Sequence, residues 1–160
     1  MTAPIEHLED SLGLTGDHRV DLWKIQLRNS ATAYYFWNGT THTWQGQTYE
    51  GLACSLSAES RSSDGERSRP VLTVVNPENM FGPLAADGVF DLATVTRKRV
   101  LQDHFQNNVN IFQQNVFIST RVVSISDQLI RLELRYPSDI PVFKTPRRTY
   151  NPPEYPFIVI

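Results

Sequence analysis

The side chains that could take part in catalysis or metal binding are few and scattered along this sequence. Its four histidines are His7, His18, His42 and His104. They occur in no HxH, HxxE or HExxH spacing, so no two of them are placed by the sequence to share a metal ion. The sequence therefore predicts no metal site, no histidine-based catalytic centre and no cofactor.

Cys54 is the only cysteine, so the chain can form neither an internal disulfide nor a metal site built from several thiolates. Its surroundings, GLACSLS, match no nucleophile signature, and we expect Cys54 to be a small core side chain. Motifs of the GxSxG, P-loop and GxGxxG types are also missing. Nothing distinguishes two of the 17 acidic residues as a pair for glycoside hydrolysis. The sequence therefore predicts a protein that is not an enzyme.

Length and composition are typical of one folded domain. The 160 residues are 40% apolar and 20% charged, which is within the range of globular proteins. A formal charge of -2 and a pI near 6.1 give no general attraction to nucleic acid or to an anionic membrane. The start, MTAPIEHLEDSL, is too acidic for a signal peptide, and no apolar run approaches the ~18 residues of a membrane span. We therefore expect no membrane association.

Two short runs could form a binding surface. The aromatic run YYFW covers 34–37, and the basic run consists of Arg97, Lys98 and Arg99. Exposed rings flanked by cations would bind carbohydrate or single-stranded nucleic acid, and this interpretation requires two or more of the rings to be exposed on one face. The competing interpretation places alternate aromatic residues in a core and a subunit contact, with the basic run on a solvated edge. Both interpretations stay open at this point.

Most of the chain has the period of two that is typical of β-strands. An exception is 4–12, where apolar residues at helical spacing predict a short N-terminal helix. In 20–27 the apolar residues change phase between Leu22 and Trp23. This change indicates either a bulge or a strand that is covered on both faces.

Two hairpins are predicted in the first third of the chain. Asn38-Gly39 directly follows the aromatic run and has the sequence of a tight two-residue turn. Gln45-Gly46 lies between two more aromatic residues, Trp44 and Tyr49. We expect these two rings to be cross-strand neighbours that pack against the aromatic strand.

The second half of the chain predicts further strands. A serine-rich loop at 56–69 leads to a strand at 69–76, a helical turn within 77–88, a strand at 91–101 and a hairpin at 116–136. In this hairpin Val116, Ile118 and Val122 share one phase, and Val123 and Ile125 take the other. About eight short strands with hairpin-length links predict an all-β fold, an antiparallel barrel or sandwich.

The last 24 residues, 137–160, contain six of the ten prolines. Proline cannot occupy the interior of a sheet, so we expect 1–136 to form the β-barrel-like domain and 137–160 to form an extended C-terminal docking arm. The arm ends in YPFIVI, which we expect to be buried against the chain's own body or a neighbouring subunit. The predicted interface residues are Arg97, Lys98, Arg99, Arg147, Arg148, Tyr155, Phe157, Ile158 and Ile160.

Charge is distributed unevenly between the two ends of the chain. Residues 1–21 hold five acids (Glu6, Glu9, Asp10, Asp17 and Asp21) and one base, Arg19. Lys144, Arg147 and Arg148 cluster near the other end. The distribution fits ordinary solvated surface, and it also fits a head-to-tail match between subunits.

The order of the motifs is more specific than any one of them. In chain order they are DLWKIQL (21–27), YYFWNG (34–39), HTWQGQTYEG (42–51), SRPVLTVVNPENMFG (68–82) and TVTRKRV (94–100). This series resembles the minor tail protein L family of lambda-like tailed phages, whose members share these motifs in this order and at similar spacing. The segments 117–137 and 142–148 resemble the family's following hairpin and P-x-R stretch more loosely.

The resemblance implies a hub protein of the tail tip. Such a protein would be made in the host cytoplasm and located in the virion, as a threefold ring (a homotrimer) between the tail tube or distal tail protein and the central fibre and hub proteins. DNA or the tape-measure protein would pass through the ring. Longer family members carry a cysteine-rich C-terminal region with an iron-sulfur cluster. This sequence has no cysteine after Cys54, so we expect no cluster in it.

Overall fold

A computed structural model describes residues 18–28, 30–57 and 69–139. The strands within them are β1 (Arg19–Gln26), β2 (Ala33–Trp37), β3 (His42–Trp44), β4 (Gln47–Gly51), β5 (Cys54–Leu56), β6 (Val71–Val75), β7 (Thr94–Leu101), β8 (Gln113–Ile125) and β9 (Leu129–Arg135). Two short helices, α1 (Gly82–Ala86) and α2 (Gln102–Gln106), and two 3-10 turns, Pro77–Asn79 and Pro137–Asp139, complete the elements. The predicted helix at 4–12 and most of the predicted loop at 56–69 and arm at 137–160 lie outside the described residues.

The strands form one mixed sheet in the order β3-β4-β2-β1-β7-β8-β9-β6-β5. The prediction of an all-β fold is therefore confirmed. The prediction of a purely antiparallel sheet is wrong, because β4 pairs with β2 in parallel, whereas the other pairs are antiparallel. No ladder joins β3 to β5 within the described residues, so the strand order is open there rather than that of a closed barrel.

Both faces of β1 are covered. Its register with β2 and β7 is continuous, so the change of phase after Leu22 is not a bulge. Trp23 and Ile25 belong to the larger core cluster, and Leu22 belongs to a second cluster on the opposite face. The face that carries the larger cluster is called the inner face below, and the opposite one the outer face.

The sheet curls around the larger core cluster. This cluster combines Phe36 of β2 with Val74 of β6, and Cys54 of β5 packs at its margin. These strands come from opposite ends of the strand order. The two edges of the sheet must therefore approach each other around a common interior.

A short link also joins β4, the second strand from one edge of the sheet, to β5 at the other edge. Only Leu52 and Ala53 separate β4 from β5, and these two residues are called the seam. The Leu52 N–H donates to the Trp37 carbonyl at 3.0 Å, and the Val75 N–H donates to the Ala53 carbonyl at 2.9 Å. The seam thus has one hydrogen bond to each side of the curled sheet.

One end of the curled sheet is covered by the segment between β6 and β7. Phe81 and Phe90 are fully buried there, and the Phe81 ring makes an edge contact with Tyr34 at 5.5 Å. The buried side chain of Asn76 accepts from the Phe81 N–H at 2.8 Å and donates to the Ser126 carbonyl at 2.9 Å. A buried amide needs such partners. The predicted helical turn in 77–88 is confirmed, as Pro77–Asn79 and α1.

The predicted hairpin around Gln45-Gly46 is confirmed as β3 and β4. Both turn residues have positive φ, 52° and 74°, as the tight turn that suits a hairpin requires. Trp44 and Tyr49 are buried, and Tyr49 makes an edge contact with Tyr35 of β2 at 5.7 Å. The two rings are not directly opposite each other in the ladder, but both cover the outer face.

The predicted hairpin at Asn38-Gly39 is wrong. Strand β3 does not pair with β2, because β4 occupies the position next to β2. The residues after β2 form a local bend, in which the Trp37 indole N–H donates to the Thr40 carbonyl at 2.7 Å. The chain reverses direction at this point, but β3 is separated from β2 by β4, whereas in a hairpin β3 would be next to β2.

The predicted hairpin at 116–136 is confirmed as β8 and β9. The side chains of β8 that are fully buried are Phe117 and Ser119, whereas Val116 and Ile118 are half-buried. The β8–β9 ladder has two register shifts, between Ser119 and Arg121 and between Val122 and Ser124. They change which side chains of β8 face the inner core in the later part of the strand. Strand β7 pairs with β8 only as far as Ile118.

Candidate interaction surfaces

The basic run of β7 is divided between the two faces of the sheet. Strand β7 lies between β1 and β8, so it is an inner strand and not the solvated edge of the competing interpretation. Successive side chains of a strand point to opposite faces. Arg97 and Arg99 therefore lie on the inner face with Trp23, and Lys98 lies on the outer face with Leu22. Their role at an interface stays a prediction, and it would involve two separate surfaces.

Arg97 and Arg99 share one carboxylate. Arg97 Nη2 lies 2.6 Å from Asp21 Oδ2, and Arg99 Nε lies 3.3 Å from Asp21 Oδ1. The Arg97 guanidinium also lies 5.5 Å from the centroid of the Trp23 ring, a distance typical of a cation–π contact. The inner face thus changes from apolar to charged at this end of the sheet.

A cleft of about 220 Å³ opens at this charged end. It lies between β1, β2 and β5, and its lining includes Arg19, Asp21, Trp23, Trp37, Cys54 and Leu56. Trp37 ends β2, whereas Tyr34, which contacts Phe81, lies near its start. The cleft is therefore at the end of the curled sheet opposite the segment that contains Phe81.

Cys54 lies in this cleft and is half-buried, so it packs at the margin of the core rather than inside it, where it was expected. Burial, and to a smaller extent the negative charge of the nearby Asp21 carboxylate, raises the pKa of its thiol to about 12. The thiolate is the nucleophilic form of cysteine. Cys54 is therefore a protonated and weakly reactive thiol at neutral pH.

Lys98 packs between two aromatic rings on the outer face. Its Nζ lies 4.6 Å from the centroid of Phe112 and 5.4 Å from that of Trp44. Burial lowers the pKa of Lys98, and the positive charge of Lys24 lowers it further. Lys98 is thus a component of the outer aromatic cluster and not a freely solvated cation.

The aromatic run at 34–37 does not form an exposed stacking surface. Phe36 is fully buried in the inner core, and the other three rings are half-buried. The Trp37 ring centroid lies 4.8 Å from that of Phe105 in α2, and the Tyr34 and Tyr35 rings contact Phe81 and Tyr49. The run divides between the inner core and the outer cluster of the same chain. The core part of the competing interpretation is therefore confirmed, and its subunit contact stays a prediction. The condition for carbohydrate or nucleic-acid stacking is not met by these rings.

A charged cluster that was not predicted lies on the outer face of β8 and β9. Its centre is Glu133, which is 7% exposed. The carboxylate accepts from Thr120 Oγ1 at 3.1 Å and lies 3.1 Å from Arg121, 3.5 Å from Arg69 and 3.9 Å from Arg135. Burial alone would raise the pKa of Glu133, but the Thr120 hydroxyl and the arginines lower it overall. This one carboxylate therefore connects β9 with β8 and with Arg69, which lies just before β6.

The tip of the β8–β9 hairpin is apolar and exposed. Val123, Ile125 and Leu129 are 46%, 40% and 36% exposed, and they are called the tip residues. Strand β8 extends past the end of β7, so Val123 and Ile125 have a strand neighbour only on the β9 side, whereas Leu129 of β9 also pairs with Val75 of β6. Ile125 is opposite Ile130 in the ladder and Leu129 precedes Ile130, so these side chains are exposed on opposite faces at the end of the hairpin. Exposed apolar side chains can mark a contact with another protein.

The remaining predicted interface residues lie outside the described residues. They are Arg147, Arg148, Tyr155, Phe157, Ile158 and Ile160. The tip residues and the Glu133 cluster were not predicted as sites. The signal in the sequence was the apolar pair Val123 and Ile125 in the phase opposite to Val116, next to a short polar turn.

Comparison with known proteins gives no match, either among protein-family models or among curated proteins. Among residues 18–28, 30–57 and 69–139, no three His, Cys, Asp or Glu side chains are grouped so that they could hold a metal ion. Helices of the length and apolar character that a membrane crossing requires are not found in the described part of the chain.

Proposed function

We propose that this chain is a structural protein of a phage tail tip, a hub or closure ring that joins the tail tube or distal tail protein to the central fibre and hub proteins. It acts by assembly and not by catalysis. The proposal starts from the motifs that resemble the minor tail protein L family. In the fold these motifs fall on β1, β2, the β3–β4 hairpin, β6 with the following segment, and β7, which supply six of the nine strands of the curled sheet.

The observation that carries the proposal is the exposed apolar tip of the β8–β9 hairpin. Leaving three large apolar side chains in water is unfavourable by roughly 1.5–3 kcal/mol for each side chain that could be fully buried. Arg121 and Arg131, both exposed, flank the tip. An apolar centre with a charged margin is the usual anatomy of a protein–protein interface.

In this proposal the curled sheet is a barrel-like wall, and copies of the chain associate as a homotrimer through polar margins. The tip residues contact a neighbouring tail protein, and the arm at 137–160 fastens to another. The ring leaves a passage for DNA or the tape-measure protein.

The experiment replaces the tip residues in a phage that encodes this chain. The variant Val123→Ser, Ile125→Ser, Leu129→Ser should fold with unchanged circular dichroism and thermal midpoint, because these side chains lie outside the core. Complete tails and infectious particles should be lost. A matched control carries Met80→Ser and Leu92→Ser, the other exposed large apolar residues of the described chain, and should assemble normally.

Two results would overturn the proposal. One is a normal yield of infectious particles from the tip variant together with normal assembly after deletion of 141–160. The other is that antibodies raised against the chain fail to label the tail tip of purified virions.

A further inference from the structure

The outer face of β8 and β9 carries an excess of positive charge. We propose that this surface binds the acidic segment 77–92 of a second copy of the chain, so that copies join head to tail. The inference rests on the proposed function, because it names the margins through which the copies of the ring associate. Four residues form the surface and are called the arginine patch: Arg69, Arg121, Arg131 and Arg135.

The arginine patch holds a single carboxylate, that of Glu133. Arg121, Arg69 and Arg135 lie 3.1, 3.5 and 3.9 Å from this carboxylate. Within the described residues, none of the four arginines pairs with another acid. Four guanidinium groups and one carboxylate leave an excess of three positive charges. Arg69, Arg121 and Arg131 are exposed, so the excess charge is accessible to a partner.

The segment 77–92 has the opposite charge. It contains Glu78, Asp87 and Asp91, and the chain has no lysine, arginine or histidine from 76 to 96. All three acids are exposed, and they form no ion pair with any other described residue. Three negative charges thus match the excess on the arginine patch. Complementary charges of this kind guide and orient the association of two proteins.

The two surfaces of one molecule are on different sides of the curled sheet. Phe81 and Phe90 pack the acidic segment against the inner core, at one end of the sheet. Arg131 belongs to the outer face, because its neighbours Ile130 and Leu132 are part of the inner core. No ion pair joins the segment to the patch in the described part of one chain. The contact therefore forms between two copies and uses a different surface of each.

A contact between two different surfaces is directional. Each copy offers one patch and one segment, so copies add to one another until a ring closes. Single ion pairs at an exposed margin are weak, and a closed ring makes several of them act together. Met80 and Leu92 are exposed beside the acids. Their replacement by serine keeps every charge, so the contact should persist in that variant.

The experiment exchanges the charges of the two surfaces in separate proteins. The patch variant carries Arg69→Glu and Arg131→Glu, and the segment variant carries Asp87→Lys and Asp91→Lys. In sedimentation velocity at low salt, the mass of the purified full-length chain should rise with concentration, and about 0.5 M NaCl should reverse the rise. In each variant alone the association constant should fall at least about tenfold, since like charges then meet.

A mixture of the two variants is the most specific test. Equal amounts should again form assemblies larger than a pair, because the exchanged contact then forms as well as the original one. This recovery also shows that both variants are folded. The control carries Glu50→Lys and Asp103→Lys, which change the net charge as much as the segment variant does, at exposed positions elsewhere. It should associate like the original chain.

Two results would overturn the proposal. If the original chain stays monomeric at millimolar concentration and low salt, the arginine patch is left to an acidic surface of another protein or to nucleic acid. If both variants still associate, or if their mixture does not recover, the copies meet through other surfaces such as the apolar tip. Neither result affects the proposed function, which is tested by the loss of infectious particles in the tip variant. Virions without the chain at the tail tip would overturn that function and leave the contact measured in solution.

Discussion

Replacing Glu133 by glutamine should destabilise the fold at neutral pH and much less in acid. The carboxylate accepts a hydrogen bond from Thr120 and pairs with Arg121. Hydrogen bonds to a charged group contribute about 1.5–3 kcal/mol. The Arg121 and Arg69 side chains are 68% and 58% exposed, so water screens their attraction and each pair adds at most about 1 kcal/mol. We expect Glu133→Gln to lower the free energy of unfolding by about 1.5–3 kcal/mol at pH 7.

The pH dependence distinguishes this explanation from a packing effect. Burial raises the pKa of Glu133, but Thr120, Arg121 and Arg69 lower it below its ordinary value. A carboxylate whose pKa is lower in the folded state stabilises the fold above the unfolded value of ~4.3, and this contribution is lost as the pH falls through the lower, folded value. The difference between the two proteins should therefore be constant near neutrality and shrink below about pH 4.

The assay is urea unfolding of both proteins at several pH values, supported by thermal midpoints, which should differ by roughly 3–12 °C at pH 7 for a chain of this size. Glu50→Gln is the control, because Glu50 is exposed on β4 and its loss should change stability by less than about 0.5 kcal/mol. A loss of equal size at pH 3 and pH 7 would refute the electrostatic reasoning. So would a glutamine variant as stable as the original chain.

Three other substitutions test the core, the covered end and the first hairpin. Phe36→Ala should lower the free energy of unfolding by about 3–5 kcal/mol, because Phe36 is fully buried, and a loss under 1 kcal/mol in urea unfolding would contradict the inner core. Asn76→Ala should lower the free energy of unfolding by about 1–3 kcal/mol, because it removes the acceptor of the Phe81 N–H. Hydrogen exchange of the Phe81 amide should then become faster, and an unchanged exchange rate would count against that contact. Gly46→Ala should lower the free energy of unfolding by about 1–2 kcal/mol, because φ at Gly46 is 74°. Gly46→Asn should lower it by less. An asparagine variant less stable to urea than the alanine variant would argue against the turn.

The strands that the sequence predicted most accurately are those with clear alternation and a defined boundary. Strand β6 ends where Pro77 follows Asn76, and the turn of the β3–β4 hairpin lies at Gln45-Gly46 as expected. In both places local chemistry decides the structure, because proline removes a backbone donor and glycine tolerates positive φ. Tertiary contacts then agree with the local preference.

The hairpin at Asn38-Gly39 was predicted wrongly because the turn sequence does not determine which strand fills the adjacent position. Strand β4 brings Tyr49 against Tyr35 and buries it, whereas a direct β2–β3 pair would place β3 in that position. Packing of a second cluster on the outer face therefore overrides the local hairpin signal.

The candidate surfaces were harder to predict than the strands. Three consecutive bases look like one patch in the sequence, but the alternation of a strand sends Lys98 to the face opposite Arg97 and Arg99. The burial of Glu133 depends on Arg69 and Arg121, which lie 64 and 12 positions away along the chain. Such a cluster becomes visible only when the strand order is known.

The seam has a consequence for how this protein could be taken apart. Strand β5 pairs with β6 through only three residue pairs and has no other strand neighbour among the described residues. Breaking the β5–β6 ladder would open the curled sheet at this edge, with Leu52 and Ala53 as the hinge. It would expose Leu72 and Val74 to solvent while the other ladders stay intact. This short ladder is therefore also a direct route into the hydrophobic interior of the sheet.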